Sequence, residues 1–176
     1  MASPGTLRRR DFVVRIARAA GVAAPALAVL EGTAEALPTG ERTDLEVLYA
    51  SLTLEHHAIA LYDEGLRLNL FPAGLRAYAI EFRGDHQGHR DTQIAIAEER
   101  GGRPPTPLAR YHLGPLGSSD RLIRAALQIE IAAQEAYTAL ISQIRTKDYL
   151  LSAAFILVDE VHHMTVWQRV LGVRIY

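Results

Sequence analysis

The sequence predicts an all-α protein, a four-helix bundle of two antiparallel hairpins joined by a long crossover between its second and third helices. Three observations carry that prediction. Beyond residue 42 the apolar residues recur at three- and four-residue spacing through four long stretches. Prolines and glycines, which interrupt helices, fall in only a few places. The middle break is far longer than the other two, as a connection must be if it is to travel from one end of a bundle to the other.

The first helix is predicted over about Thr43 to Asn69, with Thr43 as its N-cap. "LFPAG" then makes a tight turn into a second helix over about Ala73 to Glu99, which Gly101-Gly102 ends. The third helix runs from about Ser119, its N-cap, to Arg145, and the fourth from about Lys147 to Leu171. Short turns make neighbours antiparallel. Between the two hairpins lies "RPPTPLARYHLGPLGSS". A helix of roughly 27 residues is about 40 Å long, and roughly 18 extended residues reach about 60 Å, so this segment can cross the whole bundle.

The inward stripes contain polar intruders. The first helix gives Leu48, Leu52, Glu55, Ile59, Tyr62 and Leu66, and the third gives Ile123, Leu127, Glu130, Gln134, Tyr137 and Ile141. The second gives Phe82, His86, His89, Gln93 and Ile96, and the fourth gives Ala153, Ile156, Glu160, His163, Trp167 and Val170. His86 with His89 and Glu160 with His163 are spaced three apart, which puts each pair on one helix face, one turn apart. The halves repeat: Glu55 to His89 spans 34 residues and Glu130 to His163 spans 33, and each glutamate is followed seven residues later by a tyrosine. Three carboxylates buried together repel one another, so a positive charge is required among them. Divalent iron, or manganese, meets that need, because carboxylate and imidazole suit such ions and a bundle supplies ligands from four sides.

Here the sequence resembles the ferritin-like superfamily over roughly Thr43 to Gly172. Its dinuclear centres take one glutamate from each of two helices and a Glu-x-x-His pair from each of the others. The resemblance implies a ferritin-like bundle and one or two ions of iron, or of manganese, held by Glu55, His86, His89, Glu130, Glu160 and His163. His86 departs from the pattern, because it stands where a glutamate is expected; three glutamates then face the four positive charges of two divalent ions. Asp85 is expected to face a neighbouring helix or the bundle edge. Tyr62, Tyr137 and Trp167 are expected to be packing residues, while His56, His57 and His162 lie beside the stripes. His112 and Arg103 read as solvated loop, and Glu135 as outside the site.

Residues 1–36 read as a signal peptide and 37–176 as the bundle. An arginine cluster leads through an apolar stretch to Ala34-Glu35-Ala36, a pattern cut by signal peptidase. Arg9-Arg10-Asp11-Phe12-Val13-Val14 resembles the twin-arginine signal, which implies that the twin-arginine machinery exports the folded protein to the bacterial periplasm or beyond.

Composition excludes other classes. A net charge of −1 and a pI near 6.7, with no basic tract, argue against nucleic-acid binding. The absence of cysteine excludes thiolate ligands and disulfides. Ferritin-like centres store iron, oxidise it, destroy peroxide or activate oxygen, and fold class does not choose among these. Storage is disfavoured, because the chain stops at "LGVRIY" without the extra short helix of cage subunits. The expectation is an exported metal-binding protein whose ions react with oxygen or peroxide, as an oxidoreductase if it is an enzyme; self-association is compatible with it. The alternative is a metal-free bundle serving as a binding or structural module of the cell envelope.

Overall fold

The computed structural model describes residues 39–142 and 144–173; the twin-arginine pattern and the expected cleavage after Ala36 lie outside them. The described residues form four helices, α1 Thr39–Arg67, α2 Arg76–Glu99, α3 Ser119–Ile141 and α4 Lys147–Val170, with a 3-10 turn over Ala73–Leu75. No described helix is long and apolar enough to cross a membrane.

The ends of the helices correct the sequence reading. Thr43 is not an N-cap, because α1 is already helical from Thr39, directly after a proline, a residue tolerated at a helix start. α3 is capped by Ser118 rather than Ser119. Ser118 holds extended backbone (φ −157°, ψ 158°) and its Oγ accepts the Arg121 N–H, while the Ser119 hydroxyl donates to the Leu70 carbonyl at the end of α1. α3 stops at Ile141, short of Arg145, because the Asp44 carboxylate of α1 accepts the N–H groups of Arg145 (3.1 Å) and Thr146 (2.9 Å) and the Thr146 hydroxyl (2.6 Å). α1 and α2 each close through one left-handed residue, Asn69 (φ 53°) and Gly101 (φ 69°), with Leu70 N–H donating to the Gly65 carbonyl and Gly102 N–H to that of Ala97. α2 also carries two exposed glycines a turn apart, Gly84 and Gly88, where an added methyl group would meet nothing within 4 Å.

These links fix the topology. Asp44 ties the start of α1 to the start of α4, and Arg100, at the end of α2, donates to Thr146 at that same end. Ser119 ties the start of α3 to the far end of α1. The connection over residues 103–118 therefore crosses the bundle lengthwise, leaving α1 antiparallel to α3 and parallel to α4. α1 packs on α2 and α3, and α4 packs on α3 and, more loosely, on α2.

The apolar core is in two parts. One cluster holds Leu45, Leu48, Tyr49, Tyr137, Leu140, Tyr149 and Ile156; the other holds Leu61, Tyr62, Phe71, Phe82, Leu122 and Trp167. The predicted stripes are buried except toward their ends and at Gln134: Leu66, Ile96 and Ile141 are half-buried, Gln134 is half-buried and donates to the Thr138 hydroxyl, and Val170 is 38% exposed. The mid-stripe polar residues form a layer between the two clusters.

Candidate metal centre

Glu55, His86, His89, Glu130, Glu160 and His163 meet in that layer, all buried. Helical register brings them together, since each glutamate and each spaced-three pair occupies the inward stripe of its own helix. Two sets of four have ligand atoms within 4.8 Å of one another: Glu55, His86, His89 and Glu160, and His86, Glu130, Glu160 and His163. His86 and Glu160 belong to both. The His86 ring spans the two sets, with Nδ1 2.8 Å from Glu55 Oε2 and Nε2 3.4 Å from Glu130 Oε1.

Their inward atoms lack hydrogen-bond partners. His89 Nδ1, Glu130 Oε2, both oxygens of Glu160 and His163 Nδ1 are buried and unpaired. Leaving a buried polar atom unpaired costs about 1–3 kcal/mol, and more when the group is charged. Five such atoms distributed over the two ligand sets, all nitrogen or oxygen, fit divalent metal of the iron or manganese type.

The electrostatics describe the same cluster with protons alone. Burial pushes the Glu55 carboxyl up, but the hydrogen bond from His86 and the nearby His89 imidazole outweigh it and hold the group down at about 2. Glu130 is likewise pushed up by burial yet ends well below the usual carboxylate range, because of the His86 charge and the nearby His163 imidazole. Burial opposes the His86 imidazolium, but Glu160 and Glu130 raise it well above the ordinary histidine value. Glu160 is raised well above its usual value by burial and, against the His86 charge, by Glu55 and Glu130.

The surrounding groups correct one expectation and add one residue, Asp159. Tyr62, Tyr137 and Trp167 do more than pack. Tyr137 donates to Glu55 Oε1 at 2.5 Å and Tyr62 donates to Glu130 Oε1. Trp167 Nε1 donates to the Tyr62 hydroxyl and Gln93 Nε2 to that of Tyr137, both at 2.7 Å. On the α2–α4 side, Asp85 Oδ2 lies 3.1 Å from His163 Nε2, and Asp159 Oδ2 lies 3.2 Å from His89 Nε2. Asp85 thus faces the neighbouring helix and belongs to neither ligand set. Asp159 escaped the sequence reading, although the signal was there: an aspartate directly precedes both spaced-three pairs, in "DHQGH" and "DEVHH".

The other candidates lie elsewhere. His56 Nε2 is 3.2 Å from the Pro105 carbonyl, His57 stacks on Tyr111 and exposed His162 meets the edge of Phe82. His112, Arg103 and Glu135 are exposed. A groove of about 850 Å³ between α1 and the crossover, lined by His56, Arg90 and Tyr111 among others, contains none of the six.

The family profile described as a ferritin-like domain matches residues 43–173. Among solved structures, the chain is similar to a conserved hypothetical protein, rv2844, from Mycobacterium tuberculosis, with 27% identity, a TM-score of 0.71 and coverage of 78% of this chain and 96% of that one. It is also similar to a ferritin-like, diiron-carboxylate protein from Bacillus anthracis str. Ames, with a TM-score of 0.68 over 77% of this chain and 99% of that one; at 20% identity this likeness shows fold alone. No curated protein matches the chain.

Proposed function

The chain belongs to the ferritin-like domain family, and from that premise we propose that its core binds two divalent ions, iron or alternatively manganese, and presents them to oxygen or peroxide. The observation that carries this reading is the set of five buried, unpaired nitrogen and oxygen atoms on His89, Glu130, Glu160 and His163. The diiron-carboxylate character of the Bacillus anthracis protein supports it. Glu55 and His89 would hold one ion, Glu130 and His163 the other, with His86 and Glu160 between them. Bound there, the metal supplies one-electron redox chemistry toward oxygen or peroxide.

The chain's own residues do the rest. Tyr137 and Tyr62 each fix one carboxylate oxygen, Oε1 of Glu55 and of Glu130; Glu130 Oε2 is left for the ion, while Glu55 Oε2 is shared with His86 Nδ1. Asp159 and Asp85 hold His89 and His163 by Nε2 and so turn Nδ1 inward, the usual way in which an outer carboxylate orients a metal-binding imidazole. Phe82, Phe71 and Trp167 exclude water from the Glu130 side.

One observation favours the second reading, a metal-free bundle acting as a binding or structural module: the 2.8 Å contact between His86 and Glu55 neutralises part of the buried charge without metal. Elemental analysis of protein from its native compartment, with anomalous scattering at the iron and manganese edges, separates the two. Two ions among the six residues are expected; a metal-free core after incubation with ferrous and manganous ions would sink the metal reading.

We further propose that the protein is exported folded through the twin-arginine machinery to the periplasm or beyond, a reading supported by Arg9-Arg10 and Ala34-Glu35-Ala36. Arg9→Lys with Arg10→Lys is expected to leave the precursor in the cytoplasm. Unchanged processing to a chain starting at Leu37 would refute it.

A further inference from the structure

The six residues of the centre are not enclosed equally. On the Glu55 side their hydrogen-bonding neighbours are Tyr137 and Gln93, and on the Glu130 side Tyr62, itself covered by Trp167; all four are buried. On the α2–α4 side the neighbours are Asp85 and Asp159, whose side chains are 42% and 49% exposed. They are therefore the partly solvated groups in hydrogen-bond contact with the centre among the described residues. Their arrangement is reciprocal: Asp85 of α2 reaches His163 of α4, and Asp159 of α4 reaches His89 of α2. Each histidine turns Nε2 to a wet carboxylate and a buried, unpaired Nδ1 to the interior. These crossed pairs bridge α2 and α4, which are packed more loosely than either hairpin.

We infer that the seam between α2 and α4 is the way in for a hydrated divalent cation, with Asp85 and Asp159 as the carboxylates that first meet it. The inference rests on the metal-binding reading of the same centre. Two partly exposed carboxylates at the mouth of this seam concentrate cations and speed their capture, and salt weakens that effect. Their hydrogen bonds to Nε2 couple capture to the interior, because a carboxylate that turns to a cation frees the histidine whose other nitrogen faces the glutamates. A purely orienting role makes a different prediction: loss of the aspartates would loosen the histidines and speed release of the ion without slowing its arrival.

The test is stopped-flow binding of cobalt(II) to metal-free full-length protein, read by the visible absorption that appears on coordination, across a series of salt concentrations. Asp85→Asn with Asp159→Asn is expected to slow the association rate on the order of tenfold and to flatten its salt dependence, with stoichiometry unchanged. Asp85→Glu with Asp159→Glu keeps the charge and is expected to retain fast association, as is Glu135→Gln on the exposed face of α3. If the double asparagine variant does not fold, each single variant carries the test with a smaller expected slowing. Association as fast and as salt-sensitive as in the wild type, with only release accelerated, would overturn the seam and leave the metal centre standing. A wild-type protein that binds no cobalt would overturn both.

Discussion

Around Glu55 the bundle builds a polar network, and around Glu130 an aromatic one, although the two glutamates occupy equivalent places. Gln93 and Trp167 each stand four residues after the histidine of their helix, at His89 and His163. Each donates an N–H to the tyrosine that in turn donates to the glutamate. What differs is the remainder of the side chain. Glutamine brings a carbonyl oxygen that needs its own donor, whereas indole is a donor only. The chain supplies that donor with Ser51, whose Oγ lies 2.7 Å from Gln93 Oε1, four residues before Glu55. The corresponding place before Glu130 is Ala126, fully buried, and beside an indole no hydroxyl is required. The requirement shared by both halves is one N–H on one phenol; the rest follows from which side chain carries it.

The strongest way to disturb both halves at once is through His86, which lies against both glutamates. In the metal-free protein Glu55 is depressed from 4.5 to about 2, so its contribution is present above pH 4.5 and is lost as pH falls toward 2. Glu130, also depressed, adds to that acid loss. His86 is raised above 6.5, so its contribution is complete below pH 6.5 and is lost as pH rises through the folded value; raised Glu160 has the same sign, but its contribution is complete only below pH 4.5 and declines from there upward. Metal-free protein is thus expected to melt highest near pH 4.5 and to lose stability more steeply above about pH 6.5, as thermal scans across pH would show, and metal should broaden that optimum. A profile flat from pH 3 to 9 would contradict this reading of the shared ring.

Trp167→Ala is expected to cost about 3–5 kcal/mol in denaturant unfolding, through the cavity left among Phe71, Phe82 and Tyr62. Gln93→Ala, with less apolar contact to lose, should cost less, and equal costs would show that the two halves are not built on different principles. Ser51→Ala strands the Gln93 carbonyl and should cost about 1–3 kcal/mol. Ala126→Asn would add a polar group with no need to meet, so it should destabilise rather than compensate.

His86→Glu makes the two halves alike in charge. It is expected to bind the second ion about tenfold more tightly, or about 1.4 kcal/mol, by titration calorimetry. His86→Ala should lose at least one equivalent, and Asp85→Ala should still fill at saturating metal. Loss of metal from Asp85→Ala but not from His86→Ala would mean that the ligand face of α2 has been assigned one residue out.

The stripe logic made the helices and the convergence of the six polar residues legible, because period and register are written in the chain itself. Glu55, Glu130, Glu160 and His163 are each the polar member of an apolar row, and a row can be read without coordinates. Asp85 and Asp159 sit about 60–70° around the helix from the middle of that row, and a residue off the stripe acquires its partner only from the neighbouring helix. Ser118 and Ser119 are equally good caps by residue type; the choice depended on the nearby Leu70 carbonyl. The early end of α3 depended on Asp44, about a hundred residues upstream. Tyr62 and Tyr137 were seen as a repeat, but a repeat does not tell that each phenol crosses to the other hairpin's glutamate.

Gly84 and Gly88 give α2 a property that the contacts alone do not convey. They bracket His86, and no other helix here carries two glycines a turn apart. Each exposed glycine lowers helix stability by roughly 1 kcal/mol relative to alanine, with no steric need for its smallness at either place. The turn that bears the two histidines is therefore the stretch of the bundle most ready to open briefly on its own, and its amide hydrogens should exchange with solvent sooner than those flanking Glu130 on glycine-free α3. Replacing both glycines by alanine should slow that exchange and hold the histidines in place for longer between openings.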